Sequence, residues 1–564
     1  MLRAFNTLYA EYEIIKNLKF KTTFSYDYTT VKGEKWYDPR TSNGEDENGE
    51  VVKRIREYKK MVWSNTLSYL TTFNNIHHLD FLAGYEIDDT YNDYLSGEAY
   101  NFTTPDKHAI SNGMKTVSVG GSDSRYRLVS YLSRLNYDYK NKYYLGASFR
   151  VDGSSRLHRD NRWGTFWSVS GAWRTIEEEF MQPVKDWLTD LRIRASYGVN
   201  GTLPSDYFGY MGLSSISGGY LEQPGIQMSQ IANPNLKWET NYNMNIGLDF
   251  GFWDRLNFTI EYYTRTTKNL LMDCPVSMTT GFSSYLMNIG EVKNKGIELT
   301  INSTNIKIKD FSWNTTFNLG HNSNKVVKLD GEQTQIVSGT QIHKVGSSYR
   351  TFYVQEFAGI NPETGNPLFY TNELDENGNY IKEITENSKN AQFIPYKHAE
   401  PTVNGGISNS LRYKWLDLNF LFSYQFGGYS YDTWAQKTEH GGYDSYANIP
   451  TYYRDSWKKP GDQTNIEVYM PGKSSSVSMH KITSSRRIHS TDYFRLKNIT
   501  FGITLPKEWT NKINIGNVRI YASASNLWTW AAYNNYDPEA VSAGSATQTT
   551  PPLKTVTFGL NINF

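Results

Sequence analysis

Two adjacent histidines and two short acidic segments contain side chains that could bind a metal ion. His77 and His78 are adjacent, beside a predicted short turn, so they have neither the i, i+4 helical spacing nor the carboxylate partner of a metalloenzyme. The string DENG occurs at 46–49 and at 375–378, but neither copy continues into a twelve-residue calcium loop with a terminal glutamate. Asn-Gly is foremost a turn signal. We therefore predict turns at both strings, no metal site and no catalytic centre.

A different chemistry, stacking on a ligand, is suggested by aromatic residues in the stretch 433–491, which is predicted to be one long loop. Aromatic faces stack on sugar rings and on apolar peptide side chains, and hydrogen-bonding neighbours such as Glu439 and Arg454 could orient a polar ligand. The alternative is that these rings pack the loop against its neighbours or against a partner protein. The candidate ligand-contact residues are Tyr429, Tyr431, Trp434, His440, Tyr443, Tyr446, Tyr453 and Trp457.

Composition narrows the class of protein that positions these residues. The 564-residue chain is 38% hydrophobic, and no run approaches the roughly 18 to 20 apolar residues of a membrane helix. A helical membrane protein is therefore excluded. The net charge of +1 provides no bulk attraction for a nucleic acid. Aromatic residues make up 15% of the chain, which suits either a soluble β-protein or a membrane interface.

Strict alternation of apolar and polar residues recurs along the chain. In the last segment, 555–564, Val556 and Phe558 share a face opposite Thr555 and Thr557. A period of two over about ten residues predicts strands with one face against something apolar. Counting back from Phe564, we predict about 17 strands by the same criterion. Other clear examples are 143–152, 191–199 and 416–426.

The links between these strands fall into two alternating classes. Short links lie at 16–17, 74–76, 140–142, 252–255, 309–310 and 414–415, with moderately long ones on the same side at 178–190 and 506–516. The other links are long and cover 32–59, 90–124, 200–237, 330–402, 433–491 and 534–554. Because short links alternate with long ones, we predict an all-β fold. The fold is expected to be a large antiparallel transmembrane β-barrel, with short turns on the periplasmic side and long loops on the extracellular side. If Phe564 ends at the periplasmic rim, the chain starts outside, and an odd number of strands is missing.

Several motifs, in order along the chain, resemble one family. They include NPNLKWETNY at 233–242, GEVKNKGIELTI at 290–301, DYFRLKNITFGITLP at 492–506 and RIYASASNLWTWAAYNNYDPE at 519–539. These stretches resemble the barrel of TonB-dependent outer-membrane transporters, and more closely the SusC/RagA-type subfamily. The terminal Phe564 resembles the signal that barrel-assembly machinery reads.

The resemblance implies a complete machine larger than this sequence. Such transporters have about 22 strands, an N-terminal plug and a TonB-binding segment, so about 17 strands leave about five missing. Residues 1–564 are then expected to be a partial barrel domain in the outer-membrane lipid, without the plug or the first strands. By resemblance, the full protein imports oligosaccharides or peptides with a SusD-like surface lipoprotein and TonB. It would use no cofactor and perform no chemistry on its ligand.

Two other interpretations stay open from the sequence alone. The chain could form a plugless structural barrel that serves adhesion or passive diffusion. It could also belong to a secreted β-rich protein that binds or degrades glycans, in which case it would dissolve without detergent and a degrading enzyme would carry a carboxylate pair at glycosidase spacing.

Overall fold

Strands dominate the computed structural model, which describes residues 1–220, 223–329, 334–442, 448–471, 479, 482–510, 512, 515–546 and 549–563. Seventeen strands in this part of the chain form one large antiparallel sheet, which confirms the prediction of about 17. Across the same residues, no helix combines the length and the apolar character needed to cross a membrane.

The strands are numbered here in chain order, and those of the large sheet are β1–β8, β11, β12, β15, β16, β24, β25, β28, β29 and β32. The bounds are β1 Leu2–Ile15, β2 Leu18–Tyr37, β3 Glu50–Phe73, β4 His77–Phe102, β5 Gly113–Tyr139, β6 Tyr143–Ser154, β7 Trp163–Trp173, β8 Leu188–Thr202, β9 Leu213–Tyr220, β10 Gln223–Gln230, β11 Glu239–Phe252, β12 Leu256–Lys268, β13 Leu271–Pro275, β14 Ser284–Asn288, β15 Glu291–Lys307, β16 Phe311–Lys328, β17 Gln335–Ser338, β18 Gln341–Lys344, β19 Thr351–Gln355, β20 Phe357–Ile360, β21 Pro367–Tyr370, β22 Ile384–Thr385, β23 Phe393–His398, β24 Val403–Tyr413, β25 Leu416–Phe426, β26 Tyr429–Asp432, β27 Ile488–Ser490, β28 Tyr493–Thr504, β29 Asn517–Ala531, β30 Val541–Ser542, β31 Ser545–Ala546 and β32 Thr555–Asn563. The described residues form two α-helices, α1 Thr433–Thr438 and α2 Lys507–Thr510.

The closing strand β32 shows how alternation becomes structure. It pairs antiparallel with β29, and Phe558 lies opposite Ala522. Its apolar side chains face away from protein, since Phe558 is 80% exposed and Val556 is 60% exposed. Such exposure is unfavourable in water and favourable against lipid. Phe564 itself lies outside the described residues.

Short turns follow from residues that accept a left-handed backbone. Asn74 and Asn75 have φ of 52° and 58° between β3 and β4, and Lys140 and Asn141 have φ of 55° and 53° between β5 and β6. Two successive left-handed residues make the tight hairpin turn whose twist matches the strands. Asparagine adopts this region at low cost because its short side chain hydrogen-bonds locally.

Two links are shorter than predicted. Residues expected in the loops 32–59 and 90–124 continue the strands, because β2 runs to Tyr37, β3 begins at Glu50, and the β4–β5 link is only 103–112. Alternation is weak in these charged stretches, so the pattern could not show the extension. Pairing continues there because a small apolar cluster forms, whose buried members are Val51, Ala99 and Phe102 with Trp36 packed against them.

The chain divides into two compact units, which are described separately. One comprises Met1–Arg174, Arg194–Met244 and Thr267–Ile289. Within it β1 to β7 pair in sequence order through short and long hairpins. Its core cluster contains Leu157, Phe166, Val199, Leu236 and Trp238.

The other unit comprises Thr175–Ile193, Asn245–Thr266 and Gly290–Phe564. Here the long links carry small sheets of their own, which are β17-β18-β19-β23, β20-β21-β22 and β27-β26-β31-β30. A cluster of Phe352, Val354, Tyr431 and Ile488 packs between the first and the third of these sheets. Long links in this unit are thus folded structures rather than open loops.

Candidate ligand-binding loops

A short strand precedes the predicted aromatic loop, and a short helix begins it. Strand β26 pairs with β27 and, in parallel, with β31. Gly427, with φ of 83°, turns the chain out of β25 into this loop. The Asp432 carboxylate accepts the Ala435 amide N–H at 2.8 Å and caps α1. The cap fixes where the side chains of α1 point.

Two of the predicted contact residues support the loop from within. Tyr431 is 1% exposed and packs in the cluster with Phe352. Tyr429 is partly buried against the same cluster, and the Lys397 ammonium lies 5.3 Å from its ring centroid. In this conformation the structure gives both rings a packing role.

Three further candidates are also held by protein. His440 is fully buried and Tyr453 is 5% exposed. The Trp457 indole N–H donates to the Pro362 carbonyl at 2.7 Å. Its ring lies against Gly365, where an added Cβ would meet the indole at 2.6 Å. Tyr443 and Tyr446 lie outside the described residues.

Among the candidates that the structure describes, Trp434 is the most accessible. It is 41% exposed and lies on α1, at the side of a cavity of about 320 Å³. An accessible indole beside amide groups can stack on an apolar or sugar face while the amides accept and donate hydrogen bonds. The lining residues are Asp432, Trp434, Ala435, Thr438, Asn448, Ile449, Pro450, Tyr452 and Asn535.

Sequence reasoning missed part of this lining. Tyr452 is aromatic and lies in the same predicted loop, so the criterion used for the other aromatic candidates could have identified it. Asn448 and Asn535 are ordinary polar loop residues, and Asn535 belongs to a different long link. Its Nδ2 donates to the Tyr533 hydroxyl at 2.7 Å, so the neighbouring loop holds its orientation. No local pattern indicates that two distant loops meet at one cavity.

A buried ion pair lies beneath the cavity wall. Arg487 is 1% exposed and pairs with the Glu439 carboxylate, which also accepts the Tyr452 hydroxyl. Burial lowers the pKa of the Arg487 guanidinium to about 10, which still leaves it cationic at neutral pH. Burial raises the pKa of Tyr452 to about 12, so its hydroxyl stays a donor. The network therefore orients Tyr452 at the cavity.

A second buried contact ties the cavity to the link 532–554. The Tyr533 hydroxyl donates to Asp432 Oδ2 at 2.9 Å, and the Tyr533 ring stacks on His489 with centroids 3.7 Å apart. Burial lowers the pKa of His489 to about 4, with nearby Arg487 and Arg486 adding to the shift and Asp432 opposing it. His489 is therefore neutral at pH 7.

In the described ranges, no group of three or more His, Cys, Asp and Glu side chains could hold a metal ion. Both DENG strings form turns, with Gly49 at φ of 90° and Gly378 at φ of 80°. The cavity has groups for stacking and hydrogen bonding, which suit ligand binding.

Alternating strands, short turns at one rim and long folded links at the other define the class of outer-membrane β-barrels. Residues 3–380 match the model of the family "TonB dependent receptor-like, beta-barrel". The chain belongs to this family, so the predicted fold class and outer-membrane location are confirmed.

Relatives extend the match over the whole chain. TonB-dependent receptor P3 of Formosa agariphila is 32% identical, over 99% of this chain and 57% of its own length. TonB-dependent receptor SusC of Bacteroides thetaiotaomicron is 29% identical, over 92% of this chain and 51% of its own. The RagAB peptide transporter structure aligns with a TM-score of 0.89 and 26% identity, over 100% of this chain and 62% of that one. The resemblance to SusC/RagA-type proteins is confirmed. The chain spans between half and three-fifths of the length of the curated relatives it matches.

Proposed function

We propose that this chain forms the wall and ligand-facing loops of an outer-membrane transporter that imports large nutrients, oligosaccharides or peptides. The observation that carries the proposal is the cavity of about 320 Å³ between two long extracellular links, with Trp434 exposed at its side. A ligand arriving from outside meets these links first. The wall performs no chemistry on the ligand, because the cavity residues serve stacking and hydrogen bonding.

The proposal includes an energy source and a partner. Family membership supports coupling to TonB. Similarity to SusC and to the RagAB transporter supports a SusD-like lipoprotein on the extracellular side. The prediction that a plug and the first strands lie outside residues 1–564 stays a prediction.

The substrate class within this proposal is tested by growth and binding together. A strain lacking the gene is grown on a panel of oligosaccharides and of peptides as sole nutrients. We expect growth to fail on one class and to return with the wild-type gene. Growth unchanged on both classes would favour a structural or adhesive barrel instead.

The cavity is tested by a substitution in the detergent-extracted protein. Trp434→Ala should weaken binding of the growth-supporting nutrient by about tenfold, because a stacking face is lost. Trp509→Ala is the matched control, since Trp509 is 61% exposed but lies in α2, in a link of the short-turn side. Equal affinities for both variants would remove the cavity from the proposed binding surface.

A further inference from the structure

Strand β32 is joined to its partner in a way that leaves its register open. It pairs antiparallel with β29, and the long link 532–554 connects the two strands. In a hairpin with a short turn, the turn fixes which residues lie opposite each other. A long link gives no such constraint. The strands themselves must therefore determine the register.

The apolar face of β32 is not sufficient to determine it. Val556, Phe558, Leu560 and Ile562 alternate with polar or small residues. A shift by one residue would turn this apolar face inward, whereas a shift by two residues would keep apolar side chains on the lipid side. Alternation therefore excludes odd shifts and permits even ones.

The opposite face of β32 carries the one glycine of this strand, Gly559. Gly559 lies directly opposite Tyr521 of β29, and a Cβ added to it would overlap the Tyr521 ring. A glycine weakens the interior of a strand, but it is favoured where another group approaches the backbone closely. The Tyr521 ring is that group, because it fills the space that a side chain at position 559 would take.

A shift by two residues would bring a side chain beneath this ring. Thr557 and Asn561 are the neighbours of Gly559 on the same face, and one of them would then lie opposite Tyr521. Its Cβ would occupy the space of the ring, so the ring would have to leave its position. The contact between Tyr521 and Gly559 thus distinguishes the observed register from the even shifts that alternation permits.

Tyr521 is also held by a residue of its own strand. The Arg519 guanidinium lies 5.1 Å from the Tyr521 ring centroid, and its Nη2 donates to Asp417 Oδ2 of β25 at 2.6 Å. This ion pair passes over β28 at Gly502, where an added Cβ would lie 2.5 Å from Asp417 Oδ1 and 2.6 Å from Arg519 Nη2. One row of successive cross-strand partners thus spans β25, β28, β29 and β32, and its members are Asp417, Gly502, Tyr521 and Gly559.

A similar contact occurs where a short turn already fixes the register. Tyr424 of β25 lies directly opposite Gly405 of β24, and a Cβ added to Gly405 would lie 2.5 Å from the Tyr424 hydroxyl. That hydroxyl donates to the Asn318 carbonyl at 2.8 Å. The link between β24 and β25 is the two-residue turn 414–415. This pair is therefore a matched control, because its ring packs over a glycine while the turn sets the register.

We propose that Gly559 and Tyr521 form a register lock, which selects one pairing of β32 with β29 among those that alternation allows. The lock acts through shape, since the glycine leaves a recess that the ring fills. Arg519 and Asp417 keep the ring in place along the strand. The position of the glycine in β32, rather than its apolar residues, therefore sets how far this strand extends along β29.

The first test measures the fit between ring and recess in the full chain, unfolded with urea in lipid vesicles. Gly559→Ala should raise the unfolding equilibrium constant about tenfold, because the added methyl group displaces the ring. In a Tyr521→Ala background the same substitution should change this constant less than about twofold, since the space is then empty. An equal effect in both backgrounds would overturn the proposal. Gly171→Ala in β7 is the control, because its Cβ would lie 3.7 Å from the Tyr144 carbonyl, an ordinary contact, and should not destabilise the protein.

The second test moves the recess and reads the register in isolated outer membranes. The double variant Gly559→Thr/Asn561→Gly places the glycine two residues farther along β32. Ala522 lies opposite Phe558 in the observed register and would lie opposite Leu560 after the shift. A disulfide forms between cysteines at directly opposite positions, whereas diagonal positions about 7–8 Å apart are too distant.

The disulfide is expected to follow the glycine. With Gly559 in place, mild oxidation should link Ala522→Cys to Phe558→Cys and not to Leu560→Cys. In the double variant, the product with Leu560→Cys should form and the product with Phe558→Cys should decrease, as measured by peptide mapping. A double variant that keeps the product with Phe558→Cys and gives none with Leu560→Cys would overturn the proposal.

The matched control applies the same reading to β24 and β25. Ile407 lies opposite Phe422 in this pair of strands. Gly405→Ala should displace the Tyr424 ring but leave the disulfide between Ile407→Cys and Phe422→Cys unchanged, because the turn 414–415 fixes the register there.

Discussion

The single buried side chain of His489 makes the stability of the loop around the cavity depend on pH. Its ring stacks on Tyr533, which in turn hydrogen-bonds Asp432 at the start of α1. Burial holds its pKa near 4, below the ordinary value of 6.5. The unfolded loop therefore takes up a proton as pH falls through 6.5, while the folded loop stays neutral until about pH 4.

Because the pKa of His489 is lower in the folded loop than in the unfolded loop, the folded loop is predicted to become less stable in acid. Between pH 6.5 and about 4 the unfolded state binds one more proton, so the opening equilibrium should rise by up to about tenfold per pH unit. Hydrogen exchange of the 488–490 amides, corrected for intrinsic pH dependence, measures it. His489→Phe keeps a stacking ring without a titrating group and should flatten the slope. An equal slope in both proteins would assign the effect to another group.

At the scale of elements, the two faces of a strand should tolerate charge differently. Val169 and Ser170 are adjacent on β7 and both are exposed, but Val169 shares the face of Trp167 and Ser170 shares the face of Ser168. Val169→Arg places a charge against lipid and should cost up to about 2–4 kcal/mol. Ser170→Arg places it in the polar interior and should cost less than about 1 kcal/mol. Urea unfolding in lipid vesicles measures both, and equal costs would reverse the assignment of faces.

A buried arginine is expected to hold one extracellular link onto the sheet. Arg495 of β28 is 2% exposed, pairs with Asp537 at 2.6 Å and also binds Glu539. Arg495→Gln leaves these carboxylates without their main partner, which costs about 3 kcal/mol for a buried pair. We expect faster proteolysis within 532–546. Arg519→Gln is the control, because its pair with Asp417 is 29% and 21% exposed and lies on the sheet wall. Unchanged cleavage in Arg495→Gln would show that other contacts hold the link.

At the scale of the whole molecule, the two classes of link should lie on opposite sides of the membrane. The native cysteine, Cys274, is 7% exposed, so an introduced cysteine can be labelled selectively. In intact cells, a membrane-impermeant maleimide should label Glu376→Cys in a long link and not Lys309→Cys in a short turn. Both should react after the cells are broken. Labelling of Lys309→Cys in intact cells would contradict the topology.

Local patterns were sufficient for most of the fold. Alternation of apolar and polar side chains is a property of neighbouring residues, and it predicted the strands, their approximate number and the segregation of short and long links. It failed at the outer ends of β2 to β5, where charged residues interrupt the period. Pairing persists there because Val51, Ala99 and Phe102 cluster across strands, and such contacts leave no periodic signal along one strand.

The sequence by itself determined the class of this protein and its face toward lipid, because a period of two sorts side chains without reference to distant residues. Tertiary structure alone decided which of the described loop aromatics are buried and which stay accessible. Tyr431 and Trp434 have the same signal in the sequence, yet one is 1% exposed and the other 41%. The difference arises because separate links fold together, burying Tyr431 against Phe352 and bringing Asn535 to the cavity beside Trp434.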